Sequence, residues 1–172
     1  MPTTDRLSIR KINYLLISLL LLASLASCGF QLRESVAIPE DFGPVKITGI
    51  SEFSSMYKAV RNALRQSSIE ITQDSSAANH ILVINRVRNE RRVLSVDSSG
   101  KVAENELIKS INFQLLDRDG NSVTEPQTIS TNRSYAVPES AGLGTALEDQ
   151  EISRSMEESL VARMLRYLAG RI

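Results

Sequence analysis

Along residues 53–65 the apolar side chains recur at intervals of three and four. Phe53, Met56, Tyr57, Val60 and Leu64 form one stripe, with Lys58, Arg61, Asn62 and Arg65 on the opposite side. That period predicts an amphipathic helix. A second stripe, Ile152, Met156, Leu160, Val161, Met164, Leu165 and Leu168, predicts a closing helix. Thr145 and Glu148 fit a capping box at its start, and Gly170 ends it. Between the helices the period falls to two. Val45 to Ile50 is a short apolar run suited to a first strand. His80 to Val96 is the longest strand candidate, with Ile81, Val83 and Val87 expected on one side and Arg86, Arg88, Glu90 and Arg92 on the other. Asp97-Ser98-Ser99-Gly100 is turn chemistry, the glycine free to take the positive φ that closes a hairpin. The returning strand, Lys101 to Leu116, places Leu107, Ile111, Phe113 and Leu115 on one face and Glu104, Glu106, Ser110, Asn112 and Gln114 on the other. A turn at 117–121 leads to a third strand of the meander, Thr124 to Tyr135.

The predicted order is β-α-β-β-β-α. Alternating strands give a sheet with one buried face, and two apolar helix stripes need that same face. The expected fold is therefore α+β, a two-layer sandwich. It has a mainly antiparallel or mixed four-stranded sheet with two helices packed on one face.

The first residues follow a different rule. Arg6, Arg10 and Lys11 precede an apolar run from Ile12 to Ala26, which is followed by Ser27 and Cys28. The run is shorter than the ~18 residues a spanning helix needs, and basic, apolar and small-residue parts in that order read as a secretory signal peptide. Leu25-Ala26-Ser27-Cys28 resembles the lipobox of bacterial lipoproteins. The resemblance implies cleavage after Ser27, a diacylglycerol thioether on Cys28 and acylation of the freed amine. Two or more acyl chains give stable membrane anchoring. Gly29, where an Asp tends to retain such proteins at the inner membrane, favours the outer one. The competing reading is a short anchor that stays attached. The expected organisation is a signal peptide at 1–27, a lipidated N-terminus and tether at 28–44, broken by Pro39, Gly43 and Pro44, and a single domain at 45–172.

Charge and composition narrow the function. Lys and Arg number 20 against 20 Asp and Glu, and removing the leader leaves a slight acidic excess. That balance argues against nucleic acid as a partner, which wants a strong basic excess. Cys28 is the one cysteine, so no disulfide is expected in the domain. One histidine, His80, at the start of a strand, offers neither a usual metal set nor a nucleophile–base pair, and no cofactor or metal is expected. Glu104 and Glu106 share a strand face and could imitate a glycosidase pair; the plainer reading is a wet face opposite Arg86, Arg88 and Arg92. Arg91, Arg92 and Lys101 bracket the 97–100 turn. Their plain reading is a solvated surface, and their sharper one a docking surface for a phosphorylated glycolipid or a protein wall.

Four segments together resemble one family. Cys28-Gly29-Phe30-Gln31-Leu32-Arg33 is similar to the C-G-[WF]-x-L-R opening of the lipopolysaccharide-assembly lipoprotein family LptE. Ala59 to Arg65 looks like its A-V-R-N-x-L-R helix, and Ser95-Val96 through Gly100 to Ala103-Glu104 resembles its central hairpin. The closing helix, with Glu151, Met156 and Leu160 to Leu168, matches in position and pattern. Glu34 stands where the family commonly has Gly, and Ser98 and Ser99 stand where relatives can carry a basic residue. The resemblance implies a non-enzymatic outer-membrane lipoprotein on the periplasmic side. It would plug and help assemble the LptD β-barrel and take part in delivering lipopolysaccharide, with Arg91, Arg92 and Lys101 as candidate lipopolysaccharide contacts. The alternatives are another lipid-anchored adaptor, such as a secretion pilot protein, or an anchored hydrolase using Glu104 and Glu106.

Overall fold

The structure is a computed structural model that describes residues 42–137 and 143–171. The expected signal peptide, Cys28 and the expected tether through residue 41 lie outside the described residues. The elements are β1 (Val45–Thr48), α1 (Ser55–Gln66), β2 (His80–Val96), β3 (Val102–Asp117), β4 (Gln127–Ala136) and α2 (Leu143–Ala169). The expected order β-α-β-β-β-α is present. The strands lie side by side in chain order, β1-β2-β3-β4. β1 runs parallel to β2, an arrangement that needs a crossover, which α1 supplies. β2, β3 and β4 are antiparallel and joined by short connections, so the sheet is mixed, as expected.

One face of the sheet carries the core. Leu82 and Ile84 of β2 and Ile111, Phe113 and Leu115 of β3 are buried with Val45 and Ile47 of β1. Met56, Tyr57, Val60 and Leu64 of α1 and Leu160, Val161, Met164, Leu165 and Leu168 of α2 belong to the same cluster. Both helices therefore cover one face; among the described residues no helix packs on the other, the open face. Each fully buried aliphatic or aromatic side chain contributes roughly 1.5–3 kcal/mol, so this shared cluster is the main source of stability.

Several local expectations are corrected. The buried residues at the start of β2 are Leu82 and Ile84, not Ile81 and Val83. A bulge explains the change of side. Ile84 pairs with Phe113 and Arg86 with Asn112, so Asn85 and Arg86 together oppose Asn112, and Val87 returns to the core face opposite Ile111. Phe53 is 89% exposed, because α1 starts two residues later. Ser54 is its N-cap, and the Ser54 hydroxyl accepts from the Tyr57 amide at 3.2 Å. α2 starts at Leu143, two residues before the expected Thr145. Phe42, in the stretch assigned to the tether, is 3% exposed and stacks on the His80 ring with centroids 4.4 Å apart. His80 Nδ1 lies 2.8 Å from the Phe42 carbonyl oxygen, which can only accept, so Nδ1 is the donor. His80 serves packing.

The turn after β1 depends on Gly49. Its φ is +89°, and a Cβ there would run into the Ile84 carbonyl oxygen. The chain can leave β1 so close to β2 only with a glycine at this point.

Candidate ligand and partner surfaces

The β2–β3 hairpin closes on Asp97. The Asp97 amide donates to the Lys101 carbonyl at 2.8 Å, and Gly100, at φ +81°, takes the left-handed position of a three-residue loop. Asp97 Oδ1 accepts from the Ser99 hydroxyl at 2.7 Å and from the amides of Ser99 and Lys101 at 2.8 and 2.9 Å. The Ser99 hydroxyl, then the Lys101 amide, hold the Asp97 carboxyl below its ordinary value of 3.8. The second turn repeats the device. Asn121 supplies side-chain and backbone donors to Asp117 and lowers its carboxyl likewise, with Gly120 at φ +86°.

The three candidate cations flanking the first turn do not converge. Arg91 turns to the helix face, where its Nη2 lies 2.5 Å from Asp149 Oδ2 of α2. Burial, then a hydrogen bond to Asp149, raises the neighbouring Tyr135 hydroxyl, which stays a proton donor at neutral pH. Arg92 turns to the open face and pairs with Glu106, Nε to Oε2 at 3.2 Å. Lys101 is exposed at the turn, and among the described residues no carboxylate lies within salt-bridge distance of its ammonium. Beyond the stem the hairpin carries apolar surface in water: Val93, Leu94 and Val96 are 53%, 49% and 59% exposed.

Glu104 and Glu106 are engaged in the sheet. Glu106 accepts from Asn132 Nδ2 at 2.6 Å besides pairing with Arg92, and Glu104 accepts from the Ser95 hydroxyl at 3.1 Å. Cross-strand pairing opposite a basic row was the plainer expectation, and Arg92–Glu106 follows it.

The open face also holds a row that sequence reading did not single out. Asn85 Nδ2 donates to Asn112 Oδ1 at 2.9 Å, and Asn112 Nδ2 donates to Thr128 Oγ1 at 2.8 Å, crossing β2, β3 and β4. Arg86 and Arg88 stand beside it. Asn112 was placed on this face by alternation, but its partners follow from register and the bulge, which alternation does not supply. Among the described residues no three His, Cys, Asp or Glu side chains group as a metal site, and no described helix is long and apolar enough to cross a membrane.

Comparison with known proteins agrees with this architecture. The profile of the family LptE, described as lipopolysaccharide-assembly, matches residues 42–168. The LPS-assembly lipoprotein LptE of Photorhabdus laumondii is 28% identical over 158 residues, covering 92% of this chain and 85% of that protein. Its counterpart in Pectobacterium atrosepticum is 24% identical over 144 residues, 83% of this chain and 77% of the relative. Among solved structures, an uncharacterized lipoprotein B from Nitrosomonas europaea superposes with a TM-score of 0.67 at 25% identity, over 82% of this chain and 90% of that one. The rare lipoprotein B of Shewanella oneidensis gives 0.64 at 25% identity, over 74% and 95% of the two chains. With a matched segment that runs from the buried Phe42 to the last core residue of α2, Leu168, this chain belongs to the LptE family.

Proposed function

We propose that the chain is a non-enzymatic lipoprotein of the outer membrane that plugs and helps assemble an LptD-type β-barrel and takes part in delivering lipopolysaccharide to the outer leaflet. Membership of the family supports a part in lipopolysaccharide assembly, as the names of its relatives state for them. The observation that carries the plug reading is the β2–β3 hairpin. It exposes Val93, Leu94, Val96 and Val102, and apolar surface of that kind marks a site of contact with a partner. A surrounding barrel would cover the hairpin, while the polar open face would sit against a water-filled lumen. Cys28 supplies the anchor in this reading.

The hairpin flank is also the proposed contact for lipopolysaccharide phosphates, through Arg91, Arg92 and Lys101. The three are unequal. Lys101 offers its ammonium directly, whereas Arg91 and Arg92 must share or exchange Asp149 and Glu106. Reversal to Glu, one residue at a time, is expected to weaken lipopolysaccharide binding most at Lys101. Unchanged affinity in all three variants would remove the hairpin contact and leave the plug role standing. The barrel itself is tested by isolating the full chain from outer membranes in mild detergent. A stoichiometric complex with one large β-barrel is expected, and isolation with a secretion complex in its place would favour the pilot-protein alternative.

A further inference from the structure

The open sheet face has a second polar centre, away from the hairpin tip. The bulge sets Asn85 and Arg86 together against Asn112, and Arg88 follows two residues on, opposite Ser110. Residues two apart on a strand share a face and are spaced by roughly 6.5–7 Å, so two guanidinium forks reach one phosphate group. Arg86 and Arg88 are both exposed, and among the described residues neither is within salt-bridge distance of a carboxylate. Arg91 and Arg92, three residues farther along β2, are both neutralised. On β2 the free positive charge of this face therefore lies at Arg86 and Arg88, while Lys46 of β1, on the same face, donates to the Ser75 hydroxyl at 2.6 Å.

Beside the arginines runs the Asn85–Asn112–Thr128 row. Each amide has two donors and an oxygen with two lone pairs, and the row uses one donor of Asn85 and one donor and one lone pair of Asn112. The remaining donors and acceptors match hydroxyl groups, which also do both. Together these side chains and Ser110 line a shallow depression of about 410 Å³, within the range of roughly 300–1,000 Å³ typical of small-ligand sites. Its lining is Asn, Arg, Ser and Thr, with no side chain suited to an acyl chain.

We propose that this depression binds a phosphorylated glycan, with Arg86 and Arg88 clamping the phosphate and Asn85, Asn112 and Thr128 holding the hydroxyls of the adjoining sugar. A phospholipid headgroup would use the arginines and give the amide row at most the two hydroxyls of a glycerol. A ring of hydroxyls next to phosphate uses both. The site is separate from the proposed hairpin contact and does not depend on the barrel, so either can fail alone.

The test uses the full chain in mild detergent, followed by nuclear magnetic resonance titration with maltose 1-phosphate, maltose, inorganic phosphate and vesicles of phosphatidylglycerol in separate arms. Maltose 1-phosphate is expected to shift signals of residues 85–88, 110–112 and 128, and to bind at least about tenfold tighter than maltose, as two charge-assisted contacts would give, and at least about tenfold tighter than phosphate, as the added hydroxyl hydrogen bonds would give. Arg86→Gln with Arg88→Gln should abolish binding without changing the melting temperature, Asn112→Ser should lower the preference for the sugar phosphate over phosphate, and Lys58→Gln, at an exposed position of α1, should change nothing. Equal binding of phosphate and maltose 1-phosphate would overturn the glycan assignment. Undetectable binding, retention in the double arginine variant, or equal arginine-dependent binding of phosphatidylglycerol vesicles would overturn the site.

Discussion

Lys109 Nζ of β3 lies 2.6 Å from Glu157 Oε1 of α2, and the two side chains are 6% and 7% exposed. The Ser55 hydroxyl, at the start of α1, donates to the same carboxylate oxygen at 3.0 Å. One buried ion pair thus ties the sheet to both helices, at a point where the apolar cluster gives way to polar residues. Burying such a pair costs desolvation, so its net contribution is small, but stranding one partner is expensive.

Lys109→Met should therefore destabilise the domain by roughly 3–5 kcal/mol, because it leaves the Glu157 carboxylate buried with a single hydroxyl donor. Adding Glu157→Leu should restore most of the loss. Chemical denaturation of the parent, both single variants and the double variant measures this, and a double variant no better than Lys109→Met would contradict it.

The domain should fold without its lipid, since one continuous cluster joins strands and helices. A soluble chain starting at Gln31 is expected to unfold in one cooperative transition. Phe113→Ala or Leu160→Ala, each at a fully buried position, should cost about 2–5 kcal/mol through the cavity it leaves. A gradual melt of the parent chain, or no loss in either variant, would oppose this.

Much of this fold was legible because β3 alternates faithfully: Ile111, Phe113 and Leu115 face inward and Ser110, Asn112 and Gln114 outward. β2 was not, because the run Ile81-Leu82-Val83-Ile84 is apolar at every position and gives no parity, and the bulge at Asn85 then reverses the alternation. Phe53 continued the helical period although Ser54 caps the helix after it; a periodic count does not distinguish the last loop residue from the first helical one. The Lys109–Glu157 pair did leave a signal. Lys109 occupies an inward position between Leu107 and Ile111, and Glu157 adjoins Met156 in the apolar stripe; two opposite charges at core positions mark a buried pair. The candidate cations were legible as charges, but not their fate, because Asp149 lies 58 residues from Arg91 in the chain. Gly49 and the asparagine row depend on close approaches between strands, which no local pattern encodes.

Acid should loosen the turns first. Asp97 and Asp117 have carboxyls held below the ordinary 3.8 in the folded chain. A depressed folded value means that the carboxylate stabilises the fold above pH 3.8, and that this contribution is lost as pH falls through the folded value. Asp97→Asn should lower stability at neutral pH and show a smaller loss than the parent on acidification. Thermal melts between about pH 5 and pH 2 test the sign, and a variant that tracks the parent throughout would refute it.

Cys28→Ala should block lipidation and leave an uncleaved or soluble periplasmic form. Growth with radiolabelled fatty acid reads this directly. Label entering the variant as it enters the parent would show that another residue carries the lipid.

The plug reading makes a geometric demand that a side-docked adaptor does not: the barrel must surround the chain. Photocrosslinking residues placed singly at Lys58 on α1, Arg133 on β4 and Lys101 at the hairpin turn sample three exposed parts of the molecule. In intact cells all three should give adducts with the same large β-barrel. Adducts from one position alone, or from all three to a different protein, would contradict the plug.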